Sequence, residues 1–456
     1  MGATTSYPQT ASRRRRLPSP PSRRAAKAIA AAAGLGLAVT LALAVSAESS
    51  GSLASAGGLE TFLGRLAGLL AAYAMLMVVL LIARVHVLER AVGQDRLVRW
   101  HRRLGPWPLY LLAAHAVLIT VGYAKQAHSG FLAEVGTLLS TYPGILAATA
   151  ASLLLVMAGV TSYRRARRRM AYETWWAVHL YTYLALGLAF SHQVSTGASF
   201  VGHPLARLWW TALWIGAAAL VIGHRIAMPI ARSVRHQLRV AEVRREGPDV
   251  VSLILRGKNL DRLRLQGGQF FQWRFLARGM WWQAHPYSLS ALPRPPYLRL
   301  TVKDLGDHSK WLARVKPGMR VAIEGPYGTF TRAWDGLPDV ALVGAGVGIT
   351  PLLAILEDLP DGTDVVVVTR ASDETQLVLH DELARLVEAR GGRLHELIGS
   401  RDEVPLGARE LLRLIPDLDR REVYVCGPDG FADAIVRSAH AAGTPRRHVH
   451  RESFAF

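Results

Sequence analysis

Cysteine is almost absent: Cys426 is the only one in 456 residues. A lone cysteine excludes an internal disulfide, a Cys-ligated iron–sulfur cluster and a Cys-rich zinc site. Redox work would therefore fall to organic cofactors or to His-held metal. Acidic side chains are scarce in the first half: residues 1–236 hold 24 Lys and Arg against 6 Asp and Glu, while residues 237–456 hold 30 against 28. The formal charge of +20 thus belongs almost wholly to one half of the chain. Binding of nucleic acid wants a basic face on a folded soluble domain. Here the basic residues instead punctuate long apolar runs, as in proteins that fix their orientation in a bilayer. Nucleic acid is excluded as a partner on this reading, and the lipid bilayer is expected.

Residues 1–27 carry seven basic residues, including the run Arg13 to Arg16, and no acid, which reads as a basic disordered tail. Six apolar segments follow, at roughly 28–47, 61–83, 105–124, 142–163, 172–192 and 205–224. Each approaches the ~20 residues that span a bilayer core. Trp100, Trp107, Trp175, Trp176, Trp209 and Trp210 lie near segment ends, where aromatic belts sit. The tail, the 84–103 loop, the 164–169 loop and the 225–235 exit are basic. The alternate loops carry only Glu48, Glu60, Lys125 and Glu134. Both termini are therefore expected on the cytoplasmic side of a cell membrane crossed many times. A signal peptide ending at Val45-Ser46-Ala47 is the alternative for the first segment; the orientation downstream is the same.

Histidine inside a membrane span is costly and asks for a reason. His101 and His115 bracket the start and middle of the third span, and His179 and His192 lie in the fifth. The first pair is 14 apart, ~21 Å along an ideal helix and ~40° around it. The second is 13 apart but ~140° around, so a bulge or a rotated approach is expected. The two spans run parallel, so the four side chains fall at two matching depths. Stacked His–metal–His bridges are the economical reading, and haem iron takes two axial imidazoles.

From Gln237 the pattern changes to short alternating strands with turn signals such as Glu246-Gly247-Pro248-Asp249, which predicts a small antiparallel barrel. After about residue 338 strands alternate with helices, predicting an open α/β sheet of the nucleotide-binding kind. The expected fold class is thus a membrane bundle of six spans, an antiparallel β-barrel and an α/β domain, divided 1–27, 28–235, 236–333 and 334–456. The segment HPYSLS, His285 to Ser290, places an aromatic and a hydroxyl at alternate strand positions. LTVKDLGDHSKWL, Leu300 to Leu312, puts Lys303 at a strand end and Gly306 and Ser309 at a helix start, where backbone donors suit a diphosphate. LVGAGVGITP, Leu342 to Pro351, follows a buried strand: Gly344, Gly346 and Gly348 let a diphosphate approach the backbone, and Thr350-Pro351 opens the helix. Its GxGxG spacing is not the GxGxxG dinucleotide fingerprint.

These segments together resemble the ferric reductase and NADPH oxidase superfamily, over nearly the whole chain after the tail and in the family order. The resemblance implies two b haems, the inner on His101 and His179 and the outer on His115 and His192. It implies FAD on His285, Pro286, Tyr287 and Ser288, with Tyr287 on the isoalloxazine, Ser288 near its reactive nitrogen, and His285, Lys303, Gly306 and Ser309 toward the pyrophosphate. VYVCGPDGF, Val423 to Phe431, matches the same pattern, so that Cys426, Gly427 and Pro428 sit beside the nicotinamide. Arg370, at a strand end, would meet the 2′-phosphate of NADPH; a solvated Arg and NADH are the alternative. The terminal Phe456 would be a lid on the flavin. The implied enzyme is a flavohaem reductase moving electrons from cytoplasmic NAD(P)H through FAD and the two haems to an extracytoplasmic acceptor, with Ser288, Cys426 and Phe456 at the hydride-transfer centre. Ferric iron is the first acceptor considered, and oxygen, giving superoxide, the second. A third possibility makes the spans a mere anchor for a haem-free flavin reductase; the His pairs argue against it.

Overall fold

The computed structural model describes residues 23–46, 48–332, 336–400 and 403–453. Phe456 and most of the basic tail lie outside that set. The chain divides into two compact units after Ile226.

The first unit is helical. Its main helices are α1 (Arg23–Ser46), α2 (Gly58–Ile82), α3 (Gln94–Leu104), α4 (Pro106–Gln126), α5 (Ile145–Ser162), α6 (Tyr172–Thr196) and α7 (Pro204–Ile222). Five stretches among the described residues are long and apolar enough to cross a membrane: Arg24–Ser46, Gly58–Ile82, Arg96–Gln126, Ile145–Ser162 and Pro204–His236. Six were expected. The remaining segment, α6, is a helix of 25 residues, but His179, His192, Gln193 and its Tyr and Trp residues dilute its apolar content. It also carries no bulge. The third span is broken instead: Gly105 keeps helical dihedrals and donates to the His101 carbonyl (2.9 Å), but Pro106 has no N–H with which to continue the ladder.

Several polar atoms inside this bundle find partners, although the buried Trp214 Nε1 has none. Trp210 is fully buried and donates to Gln193 Oε1 (2.7 Å), and Trp209 donates to Thr40 Oγ1 (3.1 Å). Three of the four charges expected in outer loops are in ion pairs, Glu48 with Arg65 (3.0 Å) and Glu60 with Lys125.

The second unit starts with α8 (Met228–His236). By its contacts this helix groups with the sheets. The reason is packing: Ser233 Oγ accepts from Ile323 N (3.2 Å) and the Arg232 guanidinium donates to the Gly325 carbonyl. Strands β1 (Arg239–Gly247), β2 (Val250–Arg256), β3 (Phe270–Phe275), β4 (His285–Ser288), β5 (Tyr297–Lys303) and β6 (Val321–Tyr327) follow. They form two antiparallel three-stranded sheets, β1-β2-β5 and β4-β3-β6. Where a barrel was expected stand two separate sheets, linked through isolated pairs such as Arg239–Arg320. Alternation fills their shared core: Leu253, Leu255, Phe271, Trp273, Leu298, Leu300 and Ile323.

Strands β7 (Asp339–Ala345), β8 (Val365–Ala371), β9 (Arg393–Ile398), β10 (Arg421–Gly427) and β11 (Val449–Ser453) make one parallel sheet in the order β11-β10-β7-β8-β9. Helices α10 (Ile349–Asp358), α11 (His380–Glu388), α12 (Ala408–Leu414) and α13 (Asp429–Ala441) connect them; α9 (Asp307–Leu312) belongs to the preceding sheets. The runs of Val in β7, β8 and β10 are buried on both faces, as parallel strands require.

Candidate functional site

Two His pairs form in the membrane unit. The rings of His101 and His179 lie 6.1 Å apart at 76°. At the other depth, His192 lies close enough to His115 for the two to interact electrostatically. Each ring uses Nδ1 locally. His101 Nδ1 donates to the Val78 carbonyl (2.9 Å) and His115 Nδ1 to the Gly64 carbonyl (2.8 Å). Thr196 donates its hydroxyl to the His192 carbonyl (2.8 Å), so its Oγ1 accepts from His192 Nδ1 (3.0 Å). His179 Nδ1 lies 3.3 Å from Ser162 Oγ, which also accepts from the Trp175 indole (3.1 Å). A carbonyl on Nδ1 fixes the tautomer and leaves the lone pair on Nε2. Gly68 completes the cradle, since a Cβ there would stand 2.6 Å from His115 Nδ1. Among the described residues no group of three or more His, Cys, Asp or Glu is placed to hold a bare metal ion.

In the sheet unit, β4 carries the HPYS motif against β3, with His285 opposite Trp273 and Tyr287 opposite Phe271. A residue passed over in the sequence joins them. His308, at the start of α9, stacks on His285 at 3.5 Å, and its Nδ1 is 3.1 Å from the Tyr287 hydroxyl. Burial, then the neighbouring His285, pushes His308 down to about 3, and burial raises Tyr287 above its ordinary range. His308 and Tyr287 are thus an uncharged aromatic pair near neutral pH. Its only sequence signal was position: His308 falls inside the motif already singled out. Ser288 is buried, and Pro286 pairs with Gln272. Ser309 Oγ accepts from the Leu305 and Gly306 amides, both at 2.9 Å, so the hydroxyl shapes this loop. Lys303 ends β5 at the same turn.

The glycine loop and the CGP segment meet at the C-terminal edge of the parallel sheet, where open α/β sheets bind ligands. Gly344 pairs with Cys426, and a Cβ on Gly348 would stand 2.3 Å from the Cys426 carbonyl oxygen. Gly346 has φ 52°, a left-handed value that suits glycine. Thr350 is buried and bonds back to the Val347 carbonyl (2.9 Å), with Pro351 buried beside it. Gly427 and Pro428 lead into α13. The Cys426 thiol has no exposed surface; burial first, then Glu452, holds it well above its ordinary range. It therefore sits as a protonated core thiol. What this position offers the loop is backbone. Arg370 ends β8 beside Ala345 and donates to the Ser400 carbonyl (2.8 Å).

Comparison with known proteins gives the same three parts. Residues 67–190 match the ferric reductase like transmembrane component, 235–331 an FAD-binding domain, and 342–437 the oxidoreductase NAD-binding domain. The ferredoxin reductase component of 3-ketosteroid-9-alpha-monooxygenase from Mycolicibacterium smegmatis is 35% identical over 235 residues, covering 48% of this chain and 65% of its own. An NADPH oxidoreductase of Mycobacterium tuberculosis is 28% identical over 50% of this chain and 63% of its own. The chain thus spans just under two thirds of these relatives. Among solved structures, the FAD/NAD binding domain of nitric oxide dioxygenase from Vibrio cholerae is 25% identical, with a TM-score of 0.42 over 48% of this chain and 98% of that one. A membrane component followed by FAD- and NAD-binding domains gives the chain the ferric reductase and NADPH oxidase type of fusion architecture.

Proposed function

We propose that the protein moves electrons from cytoplasmic NAD(P)H through FAD and two b haems to an extracytoplasmic one-electron acceptor, ferric iron. His101 and His179 would hold the inner haem, His115 and His192 the outer. The observation that carries this reading is the 6.1 Å between the His101 and His179 rings. Two metal–nitrogen bonds of about 2.0 Å, with roughly 1 Å more from each nitrogen to its ring centre, sum to about that separation. The Nδ1 bonds to Val78, Gly64 and Thr196 orient the rings as second-shell partners do.

FAD, when bound, takes a hydride and releases single electrons, which is what lets a two-electron donor feed one-electron carriers. Tyr287 and His308 would present an uncharged aromatic surface to its ring system, and the turn at 304–306, whose Leu305 and Gly306 amides are held by Ser309, would lie toward its diphosphate. Gly344, Gly346 and Gly348 would admit the nucleotide diphosphate, and Gly427 and Pro428 would lie on the nicotinamide side of the loop, with Cys426 in the core behind them. Arg370 favours NADPH. Ser288 would bond near the reactive flavin nitrogen, and Phe456, outside the described residues, would act as a lid on the flavin. Both termini lie on the cytoplasmic side.

The test is a visible spectrum of the purified protein, oxidised and then NADPH-reduced, with haem and flavin quantified. Two low-spin haems and one FAD per chain are expected. A flavin-loaded protein with no Soret band after haem supplementation sinks the electron route.

A further inference from the structure

The face of the β4-β3-β6 sheet turned away from His285 and Tyr287 carries a second site. Along β3, Phe271, Trp273 and Phe275 are buried in the core, so Gln272 and Arg274 project to the opposite side. Across the ladder Gln272 pairs with Glu324 and Arg274 with Ala322, which sets Arg320 diagonal to Arg274 on that same face. Helix α8 lies over this face, and a cavity of about 470 Å³ remains beneath it, lined by Ile230, Val234, Arg274 and Arg320 among others.

Two guanidinium groups at diagonal positions repel, and no described residue pairs with them. Among the described residues neither Arg274 nor Arg320 has a side-chain hydrogen bond or ion pair, and the Arg274 Nε is buried without a partner. Glu324, the acid at the far end, accepts from the Tyr327 hydroxyl (2.9 Å). The opposite wall is apolar and open, with Ile230 59% and Val234 66% exposed. Those two residues are four apart and share one side of α8. Only the turn Gly223–Ala227 separates α8 from the apolar helix α7. An anion with an apolar body, available at a membrane surface, meets each of these conditions.

We propose that this groove seats an anionic phospholipid, its phosphate on Arg274 and Arg320 and its glycerol and acyl portion along Ile230 and Val234. The site is independent of the electron route proposed above. Losing two basic side chains that face a lipid headgroup weakens binding about thirtyfold.

The test uses the full-length, FAD-loaded protein in detergent, with lipid retention followed by native mass spectrometry. Dioleoylphosphatidylglycerol is the probe, dioleoylphosphatidylcholine the neutral control and glycerol 3-phosphate the soluble competitor. Expected are retention of phosphatidylglycerol over phosphatidylcholine, an approximately thirtyfold loss in R274Q/R320Q at unchanged FAD content, and no loss in Arg413→Gln, an exposed arginine on α12. Should R274Q/R320Q fail to hold FAD, Arg320→Gln alone, on an exposed side chain, should lose about fivefold. Equal retention of the two lipids, or of phosphatidylglycerol by the double variant, overturns the proposal. Displacement by millimolar glycerol 3-phosphate overturns it too, because the groove would then take free phosphate.

Discussion

The two units build their sites in opposite ways. In the membrane unit, the proposed chemistry rests on four separate imidazoles, which helix backbone merely spaces. In the sheet unit, backbone carries much of it: loop 304–309, the glycines at 344–348 and the turn after Cys426 shape surfaces no single side chain defines. The difference follows from the solvent. A polar side chain in lipid is expensive, so each one present is conspicuous and singly important. A soluble α/β edge offers many amides in water, so recognition is shared among them and depends on close approach.

The sharpest way to break that comparison is at a single imidazole. His192→Ala should eliminate the outer haem signal and all transfer to an external acceptor, while NAD(P)H still bleaches the flavin. Unchanged haem content would show that the membrane side chains are not singly important. In the sheet unit the largest effect should be structural, not chemical. Arg421, 1% exposed, bonds Asp417 and Asp364 and ties β10 to its neighbours. Arg421→Ala should cost about 3 kcal/mol, read as a lower denaturant midpoint of the flavin domain with haem absorbance intact.

A backbone-built site predicts sensitivity to one methyl group. Gly348→Ala sets a Cβ 2.3 Å from the Cys426 carbonyl, a misfit of about 1–3 kcal/mol. NAD(P)H affinity should fall roughly in proportion while FAD stays bound, which titration of each nucleotide would check.

The smallest effect concerns His308. Its folded value is about 3 against an ordinary 6.5. The unfolded chain therefore takes up a proton between those values that the folded protein refuses, and stability falls as the pH drops through that window. At pH 5 the loss should be about 1 kcal/mol after allowing for solvent screening. Denaturation of wild type and His308→Gln at pH 7 and pH 5 would test it; equal acid-side losses would show that His308 is not the group responsible.

Much of this molecule follows from its sequence because the relevant signals are local and physical. Apolar length places the helices to within a few residues, and charge asymmetry separates the two halves. Alternation and glycine position the strands, so that Tyr297–Lys303 and Arg393–Ile398 fall where pattern puts them. The His pairs stand out because their cost in lipid leaves few bland explanations. Tertiary structure alone decided the rest. α8 is amphipathic and continues a membrane helix in sequence, yet Ser233 and Arg232 assign it to the sheets, an outcome fixed by residues some 90 positions away. Whether Cys426 faces a ligand or the core depends on neighbours in β7, α10 and β11, and they bury it. His308 joins His285 and Tyr287 only when β4 and α9 meet, and Arg274 and Arg320 become diagonal neighbours only through the β3–β6 register. Spacing along a chain fixes period and face; which faces meet is set by packing between segments that are distant in sequence.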